Sequence, residues 1–377
     1  DADATADDTL VYHGSGSDDS FGLSATGIIS LNSQVSVAAD VATLTLDGLD
    51  GDDTFAVTAG HGIGTVHLVG GGPSASDVAN LTGDGTAVTI ALSDPSSVSG
   101  GGLGTINLPG IETVNLDAAS GDVNADGTTG DDTISYAPTG TDAGTIAVDG
   151  LNTGFSLSNV GSLTIDAAAG TDLVTVQGNA SDNTIGVIRA ANTSVTVDAL
   201  QSAEIVSAST EHLVVSAGLG DDITNVSGTG GPELTIDGGG NSDNLAITNT
   251  AAGTTTVSPG STSDSGSIQT PDTANTTSFA GIEFVSLTGA SATDDLALRG
   301  TLDNDTITLG SNLASVNDRA SVTFSSFDDV SLLGLDGDDT FTVAPTSLAG
   351  VTTVAVLGGL GLDSLHVLGS GGTDAIG

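Results

Sequence analysis

Apolar and polar residues alternate with a period of two along most of the chain. Thr43-Leu-Thr-Leu46, Thr54-Phe-Ala-Val-Thr58, Thr65-Val-His-Leu68, Leu173-Val-Thr-Val176 and Thr340-Phe-Thr-Val343 are examples. That period puts every second side chain on one face of a strand, and no run has the three-to-four-residue spacing of an amphipathic helix. One buried face is therefore predicted to hold Leu44, Leu46, Phe55, Val57, Val114, Leu116, Ile134, Ile165, Val174, Val176, Leu234, Ile236, Val285, Leu287, Ile307, Phe341 and Val343.

Short acidic turns separate these runs: Gly48-Leu-Asp-Gly-Asp-Asp53, Gly130-Asp-Asp132, Gly218-Leu-Gly-Asp-Asp222 and Gly334-Leu-Asp-Gly-Asp-Asp339. Their closing aspartates recur: Asp53 to Asp77 is 24 residues, Asp222 to Asp243 is 21 and Asp339 to Asp363 is 24. Ile-Glu-x-Val also recurs, at Ile111–Val114 and Ile282–Val285. Two strands and two turns in a rung of about 22 residues is the arithmetic of an all-β fold, a parallel β-solenoid or β-helix. The same Asp-Gly turns would serve antiparallel hairpins in tandem β-sandwich domains, which is the alternative fold.

The pattern breaks at residues 84–110, 187–203 and 250–280, which are rich in Ser, Thr, Gly and Pro. The expected organisation is a repeat rod over 1–250, a Ser/Thr-rich loop or boundary over 251–280, and a continuing rod over 281–377. Both ends, Asp1–Asp8 and Ser370–Gly377, read as interrupted repeats, so the chain is expected to be an excised segment that stacks end to end on its own copies or continuation.

Composition sharpens this reading. The 377 residues carry 48 acids against 3 Arg and no Lys, a formal net charge of −45. Only Glu112, Glu204, Glu211, Glu233 and Glu283 are glutamates, so the acid is nearly all Asp, the residue of tight turns and hard-cation sites. Saline adaptation alone would not gather it at turns. With so little positive charge, nucleic acid and anionic lipid are poor partners. No apolar run reaches membrane-spanning length, and without Cys there are no disulfides and no thiol chemistry. Aromatics at 3% suit a thin stacked aliphatic core.

The turns resemble the RTX, or hemolysin-type, calcium repeat, whose nonapeptide reads Gly-Gly-x-Gly-x-Asp-x-hydrophobic-x. Gly358-Gly-Leu-Gly-Leu-Asp-Ser-Leu-His366 matches every position, and the turns ending at Asp222 and Asp339 come near it. Here the copies are scattered rather than in unbroken tandem. The resemblance implies that turn aspartates and turn carbonyls hold Ca²⁺ between neighbouring rungs. By position it nominates Asp336, Asp338, Asp339 and Asp363, then Asp50, Asp52, Asp53 and Asp77, then Asp221, Asp222 and Asp243. Asp131, Asp132, Asp172, Asp182, Asp295 and Asp305 sit at similar turns and complete the candidate ligands.

Catalysis has little to stand on. Asp52-Asp53 near Gly60-His61-Gly62 is faintly similar to polygalacturonase elements, but the basic Arg-x-Lys element is missing. Only Arg189, Arg299 and Arg319 are available as base, and His13, His61, His67, His212 and His366 do not cluster. The expectation is a non-enzymatic, extracellular or cell-surface protein: a calcium-stabilised rod in a fibre, surface layer or adhesin stalk. The alternative is a glycan- or ice-binding solenoid with Thr rows in register on one face.

Overall fold

The structure, a computed structural model, describes residues 8–38, 41–72 and 76–369. The proposed repeat remnants at 1–7 and 370–377 lie outside the described residues. Among the described residues the sole helical element is the 3-10 turn Pro345–Ser347; everything else regular is strand. The fold is an all-β parallel solenoid. It divides into two compact units: residues up to Val176 together with Ala199–Glu211, and Gln177–Asp198 together with His212 onward.

In the first unit Thr9–His13, Thr43–Asp47 and Thr65–Val69 stack in parallel on one sheet. Ser20–Leu23, Thr54–Thr58, Val78–Thr82, Thr113–Asp117 and Gly154–Ser158 do so on the other. Parallel register places like positions in columns. One inward column runs Phe21, Phe55, Ala79, Val114, Phe155, and the next runs Leu23, Val57, Leu81, Leu116, Leu157. The rings of Phe21 and Phe55 stack at 5.1 Å.

The second unit repeats the scheme. Ile223–Gly228, Asn244–Thr248, Phe284–Thr288 and Ser321–Ser325 form one parallel ladder. Asp295–Arg299, Asp329–Asp336 and Thr353–Leu360 form another. Every residue assigned to the core from the alternation is at most 3% exposed.

The rung is where the structure adds to the sequence reading. Stacked turn residues lie 21 or 24 residues apart in some rungs and 34 to 41 in others. A long rung contains an antiparallel meander. In the first unit Val88–Ala91, Ser97–Gly100 and Thr105–Asn107 form one. Its last strand lies against Thr65–Val69, and its first lies against Val123–Asp126 of the next rung. The chain leaps two strand positions ahead, then fills the gap backwards. In the same unit Thr133–Gly140, Ala143–Val148 and Gly154–Ser158 do likewise. The second unit has two: Thr254–Pro259, Gly266–Gln269 and Thr277–Ala280, and Thr306–Gly310, Leu313–Val316 and Ser321–Ser325. Breaks in the repeat at 84–110 and 250–280 are thus meanders within the solenoid, and residues 251–280 hold strands. The break at 187–203 overlaps the hairpin Thr184–Arg189 with Asn192–Val197.

Phe55 should be a sensitive point of the core, because Phe21 stacks on one side and Ala79 is too small to fill a hole on the other. Phe55→Ala is expected to cost about 3–5 kcal/mol, measured by urea unfolding at a fixed calcium concentration.

Candidate metal centre

A turn that leaves one sheet for the other carries backbone N–H groups that the strand ladders do not serve. Asp carboxylates from the adjacent rung serve them. Oδ1 of Asp53 accepts the N–H of Asp19 at 2.8 Å, Oδ1 of Asp77 that of Asp53 at 2.7 Å, and Oε2 of Glu112 that of Asp77 at 2.8 Å. In the same unit Asp172 accepts from Asp132, and Glu211 from Asp172. In the second unit one ladder links Asn183, Asp222, Asp243 and Glu283, and another links Asp305, Asp339 and Asp363. The inner aspartates are buried, from 0% exposed at Asp53, Asp77 and Asp172 to 8% at Asp132, with only Asp363 exposed; of the glutamates that end the ladders, Glu112 and Glu283 are half-buried and Glu211 is exposed.

In several turns the residue just before the inner one bonds in the opposite direction. Oδ1 of Asp18 accepts the N–H of Asp52, Asp131 that of Thr171, Asp182 that of Asp221, Asp221 that of Ser242, and Asp338 that of Leu362. Adjacent rungs therefore exchange a reciprocal pair of charge-assisted bonds, of the stronger class. Asp50 is an exposed mid-turn residue, and Asp336 is the exposed last residue of the strand Asp329–Asp336. Asp295 is the exposed first residue of its strand; the buried turn position there is Asp294, whose Oδ1 accepts the Gly253 N–H at 3.1 Å. The ladder also includes Asp18, Asp19, Asn183, Asn304 and the three glutamates, none of which the nonapeptide pattern nominates.

The second carboxylate oxygen separates two kinds of turn. In closed turns the residue four before the inner acid donates its N–H to it: Ser15 to Asp19, Thr128 to Asp132, and Thr301 to Asp305. Hydroxyls of the same Ser or Thr add a second bond. In open turns that residue has a positive φ, at Leu49 76°, Ala168 72°, Gly218 110°, Gly239 92° and Leu335 84°; the turn of Asp77 instead carries its positive φ at Gly71, 104°, six residues before the acid. Oδ2 is then buried without a hydrogen-bond partner at Asp53, Asp77, Asp172, Asp222, Asp243 and Asp339. A second positive φ two residues before the acid, at Gly51, Gly170, Gly220, Asn241 and Gly337, completes the open form.

A glycine lies against Oδ2 in many of these turns. A Cβ on Gly48, Gly70, Gly238 or Gly334 would collide with Oδ2 of Asp53, Asp77, Asp243 or Asp339, and also with the carbonyl oxygen of Gly70, Gly110, Gly281 or Gly358 of the next rung. Oδ2 and that carbonyl thus crowd one small space, two acceptors with no donor. The electrostatics follow. Burial, then the neighbouring carboxylates, push Asp53, Asp77, Asp172, Asp222 and Asp339 above the ordinary carboxylate range. Asp243 is pushed up to about 6. At the closed turn of Asp19, burial acts the same way, but the Ser15 and Asn32 donors outweigh it and the net shift is downward.

Among the described residues, no three His, Asp or Glu side chains gather as metal ligands. A cation at an open turn would draw on one orphaned Oδ2 and on backbone carbonyls. That all-oxygen donor set suits a hard ion such as Ca²⁺ and not a soft one. His61 is buried, with Nδ1 accepting the Ile63 N–H at 3.1 Å, and burial lowers its pKa. No family model matches the chain, and no curated protein is similar to it.

Asp243 rises from 3.8 unfolded to about 6 folded, so its contribution to stability is full below about pH 4 and lost as pH climbs through 6. Asp243→Asn removes that titration. Without calcium the variant should be the more stable at pH 7, by about 1–3 kcal/mol, with the difference vanishing near pH 4, as followed by chemical denaturation across pH. Gly334→Ala should lose about 1–3 kcal/mol by overpacking Oδ2 of Asp339, read from the thermal midpoint.

Proposed function

We propose that this chain is a non-enzymatic structural protein that works outside the cell: a β-solenoid whose open turns take up calcium, in a fibre, surface layer or adhesin stalk. The observation that carries it is the set of buried Oδ2 atoms without a donor at Asp53, Asp77, Asp172, Asp222, Asp243 and Asp339. A carboxylate oxygen buried without a partner is costly unless a proton or a cation meets it. The two positive-φ positions of the open turn coincide with the second and fourth residues of the RTX nonapeptide, which supports the resemblance. These oxygens, with the carbonyls of Gly70, Gly110, Gly281 and Gly358, would hold the ion. Bound there, it would neutralise the inner acids and tie one rung to the next.

Self-association has its own support. Near the end of the described chain Leu357, Leu360, Leu362 and Leu365 are 54%, 72%, 83% and 50% exposed, on or beside strands Thr353–Leu360 and Ser364–Val367. A further solenoid stacked on these strands would bury them and continue the ladder.

One observation favours the second reading, a glycan- or ice-binding face. In the first unit Thr9, Thr43, Thr65, Thr105, Ser99 and Thr89 stand in register on adjacent strands. They alternate with buried residues such as Leu44, Val66 and Val98 and so face outward.

Thermal unfolding tests the calcium reading. Millimolar calcium should raise the midpoint by tens of degrees over excess chelator, while magnesium or sodium at equal ionic strength should not. Asp243→Asn should shrink the gain. Equal melting in calcium and chelator would refute the proposal and leave adaptation to salt.

A further inference from the structure

One face of the second unit carries no charge. Nine of its strands pair in the order Asn192–Val197, Thr184–Arg189, Ile223–Gly228, Asn244–Thr248, Phe284–Thr288, Ser321–Ser325, Leu313–Val316, Thr306–Gly310 and Thr340–Ala344. Their outward side chains, which alternate with the buried ones, are Ser, Thr, Asn, Gly, Ala, Ile, Leu or Phe at every position. Arg189 faces inward and is buried. The low strand propensity of Asp is not the reason. On the other sheet of the same unit Glu233, Asp237, Asp295 and Asp329 all occupy outward strand positions.

Four apolar side chains stand out from the uncharged face: Ile188, Ile223, Phe284 and Leu313 are 57%, 43%, 49% and 43% exposed. Its two long edges differ. The parallel strands are entered through acidic turns, where Asp182, Asp221 and Asp338 are exposed. They are left through turns such as 229–231, 249–253 and 289–292, which hold no acid.

We propose that two copies of the chain pack side by side through this face, sheet on sheet, about a two-fold axis running across the strands. Chains of net charge −45 repel wherever their acids meet, and here none meet. Depletion of charge at the centre is the compositional mark of a protein interface, and a two-fold is the commonest symmetry for a pair of identical chains. That axis sets the strands of the two copies antiparallel, so the acidic edge of each lies over the uncharged edge of the other. Nine strands about 4.8 Å apart, each giving about 15 Å of length, offer about 650 Å² per partner. Specific interfaces bury about 600–1,000 Å² a side, so the face is large enough. A neutral polysaccharide would also escape repulsion, but the face gives its rings a single aromatic platform, Phe284. The contact is lateral and uses no turn oxygen, so it is independent of calcium and of end-to-end stacking.

Sedimentation equilibrium of the full chain in millimolar calcium, with the fold checked by far-UV circular dichroism, reads the contact. A concentration-dependent dimer is expected, tightening as sodium chloride screens the acids outside the interface. Asn225→Asp with Ser286→Asp should weaken it about tenfold or more, by setting like charges against each other. Ala297→Asp with Ser331→Asp adds the same charge to the other sheet and should leave it unchanged. Because the chain has no Cys, Ser286→Cys gives a second readout. Ser286 stands in the middle column of the face, beside the axis, so a short bismaleimide should join two copies there and not through Ser331→Cys. A chain that stays monomeric to its solubility limit, or a dimer indifferent to the two acids on the face, overturns the proposal. So does a monomer that binds cellulose or chitin and loses that binding in Asn225→Asp with Ser286→Asp, which would assign the face to a neutral polysaccharide. End-to-end association would survive those two substitutions, so none of these results bears on it or on the calcium reading.

Discussion

The structure depends on a backbone N–H that needs an acceptor. In a stacked solenoid each turn leaves the sheets for a few residues, and its amides would be buried without partners. Asp solves this at short range: its side chain reaches one rung along and accepts the N–H at about the same distance each time, 2.7–3.0 Å from Asp53 to Asp363. The bond is stronger for being charge-assisted. Its consequence is that the charge must be repeated at every rung, so the ladder that satisfies the backbone also lines up like charges along the solenoid. Much of the −45 net charge is therefore architectural.

Two local choices decide how each rung copes. Where Ser or Thr stands four before the inner acid, its N–H and hydroxyl complete the carboxylate; Asp19, Asp132 and Asp305 begin their ladders this way. Where Leu, Ala or Gly stands there with positive φ, the N–H turns away and Oδ2 is orphaned. The ladders of the first unit end in Glu112 and Glu211, and one of the second in Glu283. A longer side chain serves the last N–H from a turn of different shape, as at Gly110-Ile111-Glu112, and no further carboxylate follows.

The alternation told the core correctly because burial on one face of a strand is a local property. Leu287, the most exposed of the residues assigned inward, is still only 3% exposed. The short rungs were legible too, since Asp53 and Asp77 share a motif and a contact. The meanders were not. Their back-filled order is fixed by pairings such as Thr105 with Thr65, 40 residues apart in the chain, which no local pattern encodes. The site was half legible. The nonapeptide pointed to inner aspartates such as Asp53, Asp222 and Asp339, while the likeness of the other turns nominated Asp295 beside the buried Asp294, because both precede an alternating run. It passed over Asn183 and the glutamates because it looks for one residue type. The Ile-Glu-x-Val recurrence was the visible sign of Glu112 and Glu283, readable only once a ladder is known to need an end.

The exposed and buried acids respond to different solutes, and this bears on how the chain tolerates its charge. Mobile salt screens charges that water surrounds, over a Debye length of about 8 Å at physiological ionic strength. It therefore relieves exposed acids such as Asp52, Asp131 and Asp338. It reaches Oδ2 of Asp77, Asp172 or Asp243 poorly, since those side chains are 0–1% exposed and the oxygens have no solvent around them. Only a species in direct contact can relieve them, a proton at low pH or a coordinated cation at neutral pH. Diffuse salt adaptation accounts for the outer acids and leaves the inner ones unexplained. The inner ladder thus ties the stability of the solenoid to what occupies its turns, rung by rung.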